Sequence, residues 1–275
     1  MSIAPTLRCP CDGRFLTAAA EYDARPSGET RFDLGGQAYR RAYDRCDLCG
    51  HWFGRHRLDL AALYNETYVD ATYGGADGIR RKFAAVMALP AAASDNRQRA
   101  DRVRAFARSR GIDEAAAPRL LDVGAGIGVF PAAMAEAGWA VTAIEEDPRA
   151  VAHLSAIPGV DARAASLASL AQSEAGAFQA VTFNKVLEHV EDPAALLAAA
   201  APLVAPRGFV YFEVPDVAAA RVDAQREEFF IEHHHVFSPA SAALVGERAG
   251  FAVAAVERLR EPSGKFTIRV LLEAR

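Results

Sequence analysis

From Pro118 onward, short apolar runs alternate with stretches of helical spacing. Arg119–Val123 reads as a buried strand, and Val129–Ala137 as a helix closed by Gly138. Ala140–Ile144 predicts a second strand and Pro148–Ser155 a second helix. A short third strand falls within Gly159–Ala164, a fourth over Phe178–Phe183, and a helix over Pro193–Val204. Gly208–Val214 gives a fifth strand, followed by a helix over Pro239–Ala249 that Gly250 ends. Phe251–Arg258 and Thr267–Glu273 alternate as the two strands of a terminal hairpin. This order specifies an α/β fold: a doubly wound, mostly parallel sheet of seven strands.

The first 115 residues follow another pattern. Residues 1–57 have sparse periodicity, scattered Gly and Pro, and little core of their own. Residues 58–115 read as mostly helical, a lid or linker. Asp59 is placed to cap a helix carrying Leu60, Leu63, Tyr64 and Tyr68, and a second helix spans Arg97–Arg110 and stops at Gly111. Pro90–Ser94 makes a loop between them. The expected domains are therefore 1–57, 58–115 and 116–275.

Length and composition narrow the function. The 275 residues, 51% of them hydrophobic, suffice for one large α/β domain and a small module. A net charge of −4 gives no general attraction to nucleic acid, which is not expected as a partner. No apolar run reaches spanning length, and Ser2–Arg14 lacks a signal-peptide core, so no membrane partner and a cytoplasmic location are expected.

The densest chemical signal is Asp122-Val-Gly124-Ala125-Gly126-Ile-Gly128, between the first predicted strand and its helix. Glycines are needed where backbone takes unusual dihedrals or must approach a ligand closely. A dinucleotide fingerprint would place its last glycine at Val129. The stretch instead resembles motif I of class I S-adenosylmethionine-dependent methyltransferases, which implies a Rossmann-like sheet. A second motif agrees: Val186-Leu-Glu-His-Val190 is similar to the segment after strand four in small-molecule members.

The resemblance implies a cofactor site at the carboxyl ends of the strands. Gly124, Ala125, Gly126 and Gly128 would admit the amino-acid portion, oriented by Asp122. Glu145, or one of its neighbours Glu146 and Asp147, would accept both ribose hydroxyls. Ser166 stands where an acid often meets the adenine amino group, and Leu167 is placed to pack on the ring. The post-strand-four loop would contribute Asn184 and His189, His189 having a bracing role as its alternative.

All four cysteines lie early: Cys9, Cys11, Cys46 and Cys49. Clustering of this kind in a reducing compartment points to metal before disulfides. Cys46-Asp-Leu-Cys49-Gly50 is knuckle-like, whereas Cys9-Pro-Cys11 is one residue short of the usual half. The module is similar to the N-terminal zinc site of a methyltransferase group that includes sugar C-methyltransferases, implying structural zinc on four thiolates. His51 and His56 are candidate replacements for a cysteine that does not reach. Their large C-terminal domain is not expected here.

Candidate catalytic residues lie in His233-His234-His235, before Phe237-Ser238-Pro239. An imidazole near neutral pKa suits removal of the acceptor's proton. Bracing of the loop and metal binding remain alternatives. Glu213 is a candidate for orienting substrate, and Tyr64, Tyr68 and Tyr73 for lining a lid. The reading is methyl transfer from S-adenosylmethionine to a small molecule, such as a sugar nucleotide or biosynthetic intermediate. Its rivals are an RNA methyltransferase, favoured by Arg40, Arg41, Arg45, Arg55 and Arg57 around the second cysteine pair, and a non-catalytic cofactor-binding protein.

Overall fold

A computed structural model describes residues 9–12, 15–32, 36, 38–56 and 74–275, with the side chain of His56 excepted. The predicted helix after Asp59, together with Tyr64, Tyr68, Tyr73 and Arg57, lies outside the described residues.

The central sheet has seven strands. Four parallel ones are β4 (Arg119–Val123), β5 (Ala140–Ile144), β6 (Val160–Arg163) and β7 (Phe178–Asn184). The fifth, β8 (Val204–Pro215), also runs parallel to β7, whereas β10 (Phe251–Arg260) and β11 (Phe266–Ala274) add an antiparallel hairpin. The lateral order is β10-β11-β8-β7-β4-β5-β6. The chain thus starts in the middle of the sheet, works to one edge, and returns to build the other, which places β4 and β7 side by side.

Helices cover both faces. They are α1 (Gly75–Met87), α2 (Asp95–Ser109), α3 (Val129–Glu136), α4 (Pro148–Leu154), α5 (Leu167–Ser173), α6 (Pro193–Ala198) and α7 (Pro239–Arg248). One core joins Phe178, Val181, Phe183 and Phe212 to Leu197, Val245 and Leu272; another, across the sheet, joins Leu120, Val141 and Tyr211 to Val103, Phe130 and Trp139. Ser94 caps α2 by accepting from Arg97 N at 3.3 Å. The helix expected over Pro193–Val204 is shorter, because the chain turns into a 3-10 segment at Ala201–Leu203, where Pro202 offers no N–H. Helix α5 is an addition to the predicted elements.

The N-terminal segment is a second sheet. Its strands β1 (Leu16–Tyr22), β2 (Arg41–Cys46) and β3 (Trp52–His56) form an antiparallel meander. The fourth strand is β9 (His235–Val236), from the loop that follows β8, pairing antiparallel to β3. Tyr43, 1% exposed, packs its ring edge-on against Phe229 at 5.9 Å and donates its hydroxyl to His233 O at 2.7 Å. Glu29 accepts from Ile231 N at 2.8 Å and from Arg41 at 3.0 Å. The segment is therefore stitched to the histidine-bearing loop by backbone pairing, buried aromatics and the Glu29 carboxylate on Ile231 N.

Candidate functional site

The glycine turn follows directly from β4. Gly124 and Gly126 have φ of 67° and 54°. The amides of Gly124 and Ala125 both donate to Ile144 O, at 3.0 and 3.2 Å, tying the turn to the end of β5. A Cβ at Gly124 would come within 2.8 Å of Val186 Cγ2. Gly128 has a different reason to be glycine. It caps α3 with φ of 77°, and a Cβ there would meet Leu154 Cδ2 at 2.5 Å and Ile157 Cδ1 at 2.6 Å. Helix packing alone therefore demands a glycine here.

Asp122 ends one residue earlier, buried between strands. It accepts from Thr182 Oγ1 at 2.6 Å and Asn184 Nδ2 at 2.7 Å, both on the neighbouring β7. Burial pushes its carboxyl up to about 7, against the pull of these two bonds. Because Asn184 spends its amino group on Asp122, its carbonyl oxygen faces the other way. That oxygen is buried without a hydrogen-bond partner among the described residues.

Glu145 closes the same site from β5. Its Oε2 accepts from Gly126 N at 2.8 Å and its Oε1 from Glu146 N at 3.0 Å. Burial raises its carboxyl, and these amides oppose the shift. The neighbouring acids point elsewhere: Glu146 is exposed, and Asp147 caps α4 by accepting from Arg149 N. Of the three acids, Glu145 is the one that bonds to the glycine turn.

Ser166 has a structural task of its own. It is exposed and caps α5, accepting from Ser169 N at 3.2 Å. Leu167 is 5% exposed and belongs to the main core. A Ser followed by a short apolar-periodic segment is an N-cap signal, and it would have located α5.

A second group assembles from two loops. Glu188 and His189 follow β7, and His233 lies before β9; one candidate ligand atom from each falls within 4.8 Å of the others. His189 Nδ1 donates to Glu232 O at 3.0 Å, and His233 Nδ1 donates to Glu228 O at 2.9 Å. Their rings meet edge-on with centroids 4.8 Å apart. Burial pushes His189 down to about 4 and His233 well below its ordinary range, so both are neutral at pH 7. His234 N donates to Glu188 O at 2.8 Å, zipping the two loops together.

His235 points away from the other two histidines' partners and into a buried relay. It is 1% exposed; its Nε2–H donates to Glu191 O at 3.3 Å, leaving Nδ1 to accept from His51 Nε2 at 3.0 Å. His51 continues to Ser241 Oγ at 2.9 Å. Both imidazoles are occupied by this buried relay between the N-terminal sheet and α7, so His51 is no substitute thiolate. Glu213 is likewise structural. It is fully buried and accepts from Arg99 Nε at 2.7 Å, Arg269 Nε at 2.8 Å and the Tyr211 hydroxyl. Burial opposes its ionisation, but Arg99 overrides that and holds it down to about 2.

The four cysteines converge. Cys9 Sγ lies 3.1 Å from both Cys11 and Cys49, and Cys11 Sγ lies 3.5 Å from Cys46. The short first half works because Asp12 turns the chain back with φ of 53° and donates its N–H to Cys9 O at 2.9 Å. Gly50, at φ of 71°, completes the second half. The donor set of four sulfurs fits a tetrahedral, closed metal site.

Comparison with known proteins agrees with this geometry. A family model described as a methyltransferase domain matches residues 87–256. The ubiquinone biosynthesis O-methyltransferase of Xanthomonas axonopodis pv. citri (strain 306) is 43% identical over 103 residues, covering 36% of this chain and 43% of that protein. The protein of the same name from Azotobacter vinelandii is 44% identical over 102 residues, covering 35% and 44% respectively. The chain thus spans less than half the length of these curated relatives. Among solved structures, it resembles the Burkholderia thailandensis 1,6-didemethyltoxoflavin-N1-methyltransferase with bound S-adenosylhomocysteine. The TM-score is 0.57 at 20% identity, over 92% of this chain and all of that one. Magnesium protoporphyrin IX methyltransferase from Synechocystis PCC 6803 gives 0.53 at 17% identity, over 78% of this chain and 97% of the other. At such identities the likeness establishes the fold. With the matched domain covering most of the sequence and the glycine turn at the head of its sheet, the chain belongs to the family of class I, S-adenosylmethionine-dependent methyltransferases.

Proposed function

We propose that this chain methylates an oxygen of a small-molecule acceptor, using S-adenosylmethionine. One observation carries the reading. The glycine turn, the Glu145 carboxylate resting on it, and the Asp122–Asn184 pair with its orphan amide oxygen all meet at the carboxyl ends of β4, β5 and β7. When bound, the cofactor supplies an electrophilic methyl group on a positively charged sulfur.

The residues present fit that group. The buried Asn184 Oδ1 is an acceptor suited to the cofactor's ammonium. Asp122 holds the Asn184 amide in that orientation and adds negative charge behind it. Glu145 offers two carboxylate oxygens to the ribose hydroxyls, releasing its bond to Gly126 N as it turns. Gly124, Ala125 and Gly126 present backbone to the amino-acid portion. The adenine end falls towards Ser166 and Leu167, where the Ser166 hydroxyl is already engaged in capping. Removal of the acceptor's proton falls to the Glu188–His189–His233 group, whose imidazoles are neutral. Oxygen is favoured as the acceptor atom by the names of the curated relatives.

We assign structural zinc to Cys9, Cys11, Cys46 and Cys49, supported by the convergence of their sulfurs. Three of the N-terminal arginines behind the RNA reading are engaged within the chain, which favours the small-molecule reading. Arg41 is buried against Glu29, Arg45 pairs with Asp47, and Arg55 pairs with Asp44. Among the described residues no helix is long and apolar enough to cross a membrane.

Calorimetric titration with S-adenosylhomocysteine tests the cofactor reading. Binding by the folded chain that Glu145→Ala weakens supports it; absence of binding to the intact chain overturns it. Screening small hydroxylated acceptors for S-adenosylhomocysteine release then tests the substrate class.

A further inference from the structure

We infer that Glu188, His189 and His233 form a second metal site, for a divalent transition-metal cation that takes the acceptor's oxygen. The role rests on the proposed methyl transfer; the binding does not.

The donor set is two imidazoles and a carboxylate, on two loops, with candidate ligand atoms within 4.8 Å of one another. A shared ion about 2.1 Å from each ligand would bring those atoms to about 3 to 3.4 Å, a closure within reach of side-chain rotation. The two imidazoles are anchored by their other interactions. Each Nδ1–H is committed to a backbone carbonyl, which fixes the tautomer and puts the lone pair on Nε2. Metal-ligating histidines are usually anchored in this way, through the ring nitrogen that does not face the ion.

An independent observation comes from Glu188. Its residue is 1% exposed, and Oε2 is buried without a hydrogen-bond partner among the described residues. A buried carboxylate oxygen left unpaired is costly, and a cation removes that cost. Lys185, the neighbouring positive charge, does not fill the place. Its ammonium is turned to Thr267 Oγ1 at 2.6 Å and Glu261 Oε1 at 3.6 Å.

The ligand types select the metal. Neutral imidazoles suit zinc, iron, nickel or cobalt over magnesium or calcium. Two histidines and one carboxylate fill three positions and leave others open, as in catalytic sites. A hydroxyl oxygen of the acceptor in an open position would have its pKa lowered, and its proton would pass to water. On this reading the three residues serve proton removal as ligands of the ion.

Cobalt(II) is the probe, titrated into the full-length chain after chelator treatment and followed by absorption. The thiolate site gives sulfur-to-metal charge transfer; the Glu188–His189–His233 site gives none. The expected result is a cobalt equivalent without charge transfer, lost in both His233→Ala and the shape-preserving Glu188→Gln. Cys46→Ser should leave that equivalent in place. No such equivalent in the intact chain, or one that persists in both variants, overturns the inference. S-adenosylhomocysteine binding, measured separately on the same proteins without metal, reports on the cofactor reading alone.

Discussion

Gly128→Ala separates a packing glycine from a ligand-contacting one. An alanine Cβ at this position would lie 2.5 Å from Leu154 Cδ2 and 2.6 Å from Ile157 Cδ1. Both neighbours are buried, Leu154 completely, so neither can swing into solvent. Two costs add. Holding a non-glycine residue in the left-handed region costs about 1–2 kcal/mol. Forcing a methyl into packed core costs about 1–3 kcal/mol more. Gly138 supplies the control, because it has φ of 88° and a methyl added there would meet nothing within 4 Å. Gly138→Ala therefore carries the first cost without the second. The difference, about 1–3 kcal/mol, corresponds to roughly 2–5 °C in melting temperature for a chain of this size. Thermal unfolding of the two variants, without cofactor, reads it directly. Equal melting temperatures, with S-adenosylhomocysteine binding lost only in Gly128→Ala, would refute the packing account and return Gly128 to the ligand.

Three other outcomes are expected. Glu145→Ala should weaken S-adenosylhomocysteine by roughly 100-fold or more in calorimetry, since two charge-assisted hydrogen bonds are worth about 1.5–3 kcal/mol each; an unchanged affinity would move the ribose contact elsewhere. Arg99→Met leaves the buried Glu213 with Arg269 and Tyr211 only, and should cost about 3 kcal/mol in urea unfolding. Asp122 has a folded pKa of about 7, above its ordinary value, so its contribution to stability is fully present below pH 3.8 and is lost as pH rises towards 7. Asp122→Asn should therefore make the slope of stability against pH more positive over that window, by up to about 1.4 kcal/mol per pH unit. Urea unfolding at several pH values checks it; an unchanged slope would mean that Asp122 is ionised throughout.

What could be read from sequence was whatever local patterning controls. The parallel strands announced themselves because a strand buried on both faces is an unbroken apolar run, as in Leu120-Leu121 before Asp122 and in Val141 to Ile144. The N-terminal strands gave no such signal. Leu16–Tyr22 is mostly small residues with its outer half exposed, and the sheet it belongs to is completed by residues far along the chain. The cofactor-side residues were legible as motifs, yet the motif could not separate Gly128, required by Leu154 and Ile157, from the glycines of the open turn. The histidines were visible, but their division of labour was not. Which of three consecutive rings faces a relay to His51 and which faces His189 depends on loops more than 40 residues apart. Glu188 is visible in the sequence only as one letter of a motif, because burial without a partner is a tertiary property.

The pairing of β9 with β3 has a consequence for how the chain is made. Tyr43 and its hydrogen-bond partner His233 are 190 residues apart, and the fourth strand of the N-terminal sheet is the two-residue segment His235–Val236. At about 5–20 residues per second, β3 leaves the ribosome roughly 10–40 s before its neighbour exists. Throughout that interval its edge offers unpaired amides and carbonyls to any other nascent chain. Cys46 ends β2 and Cys49 lies in the turn before β3, so capturing a metal early would brace this hairpin while the rest of the sheet is still being synthesised.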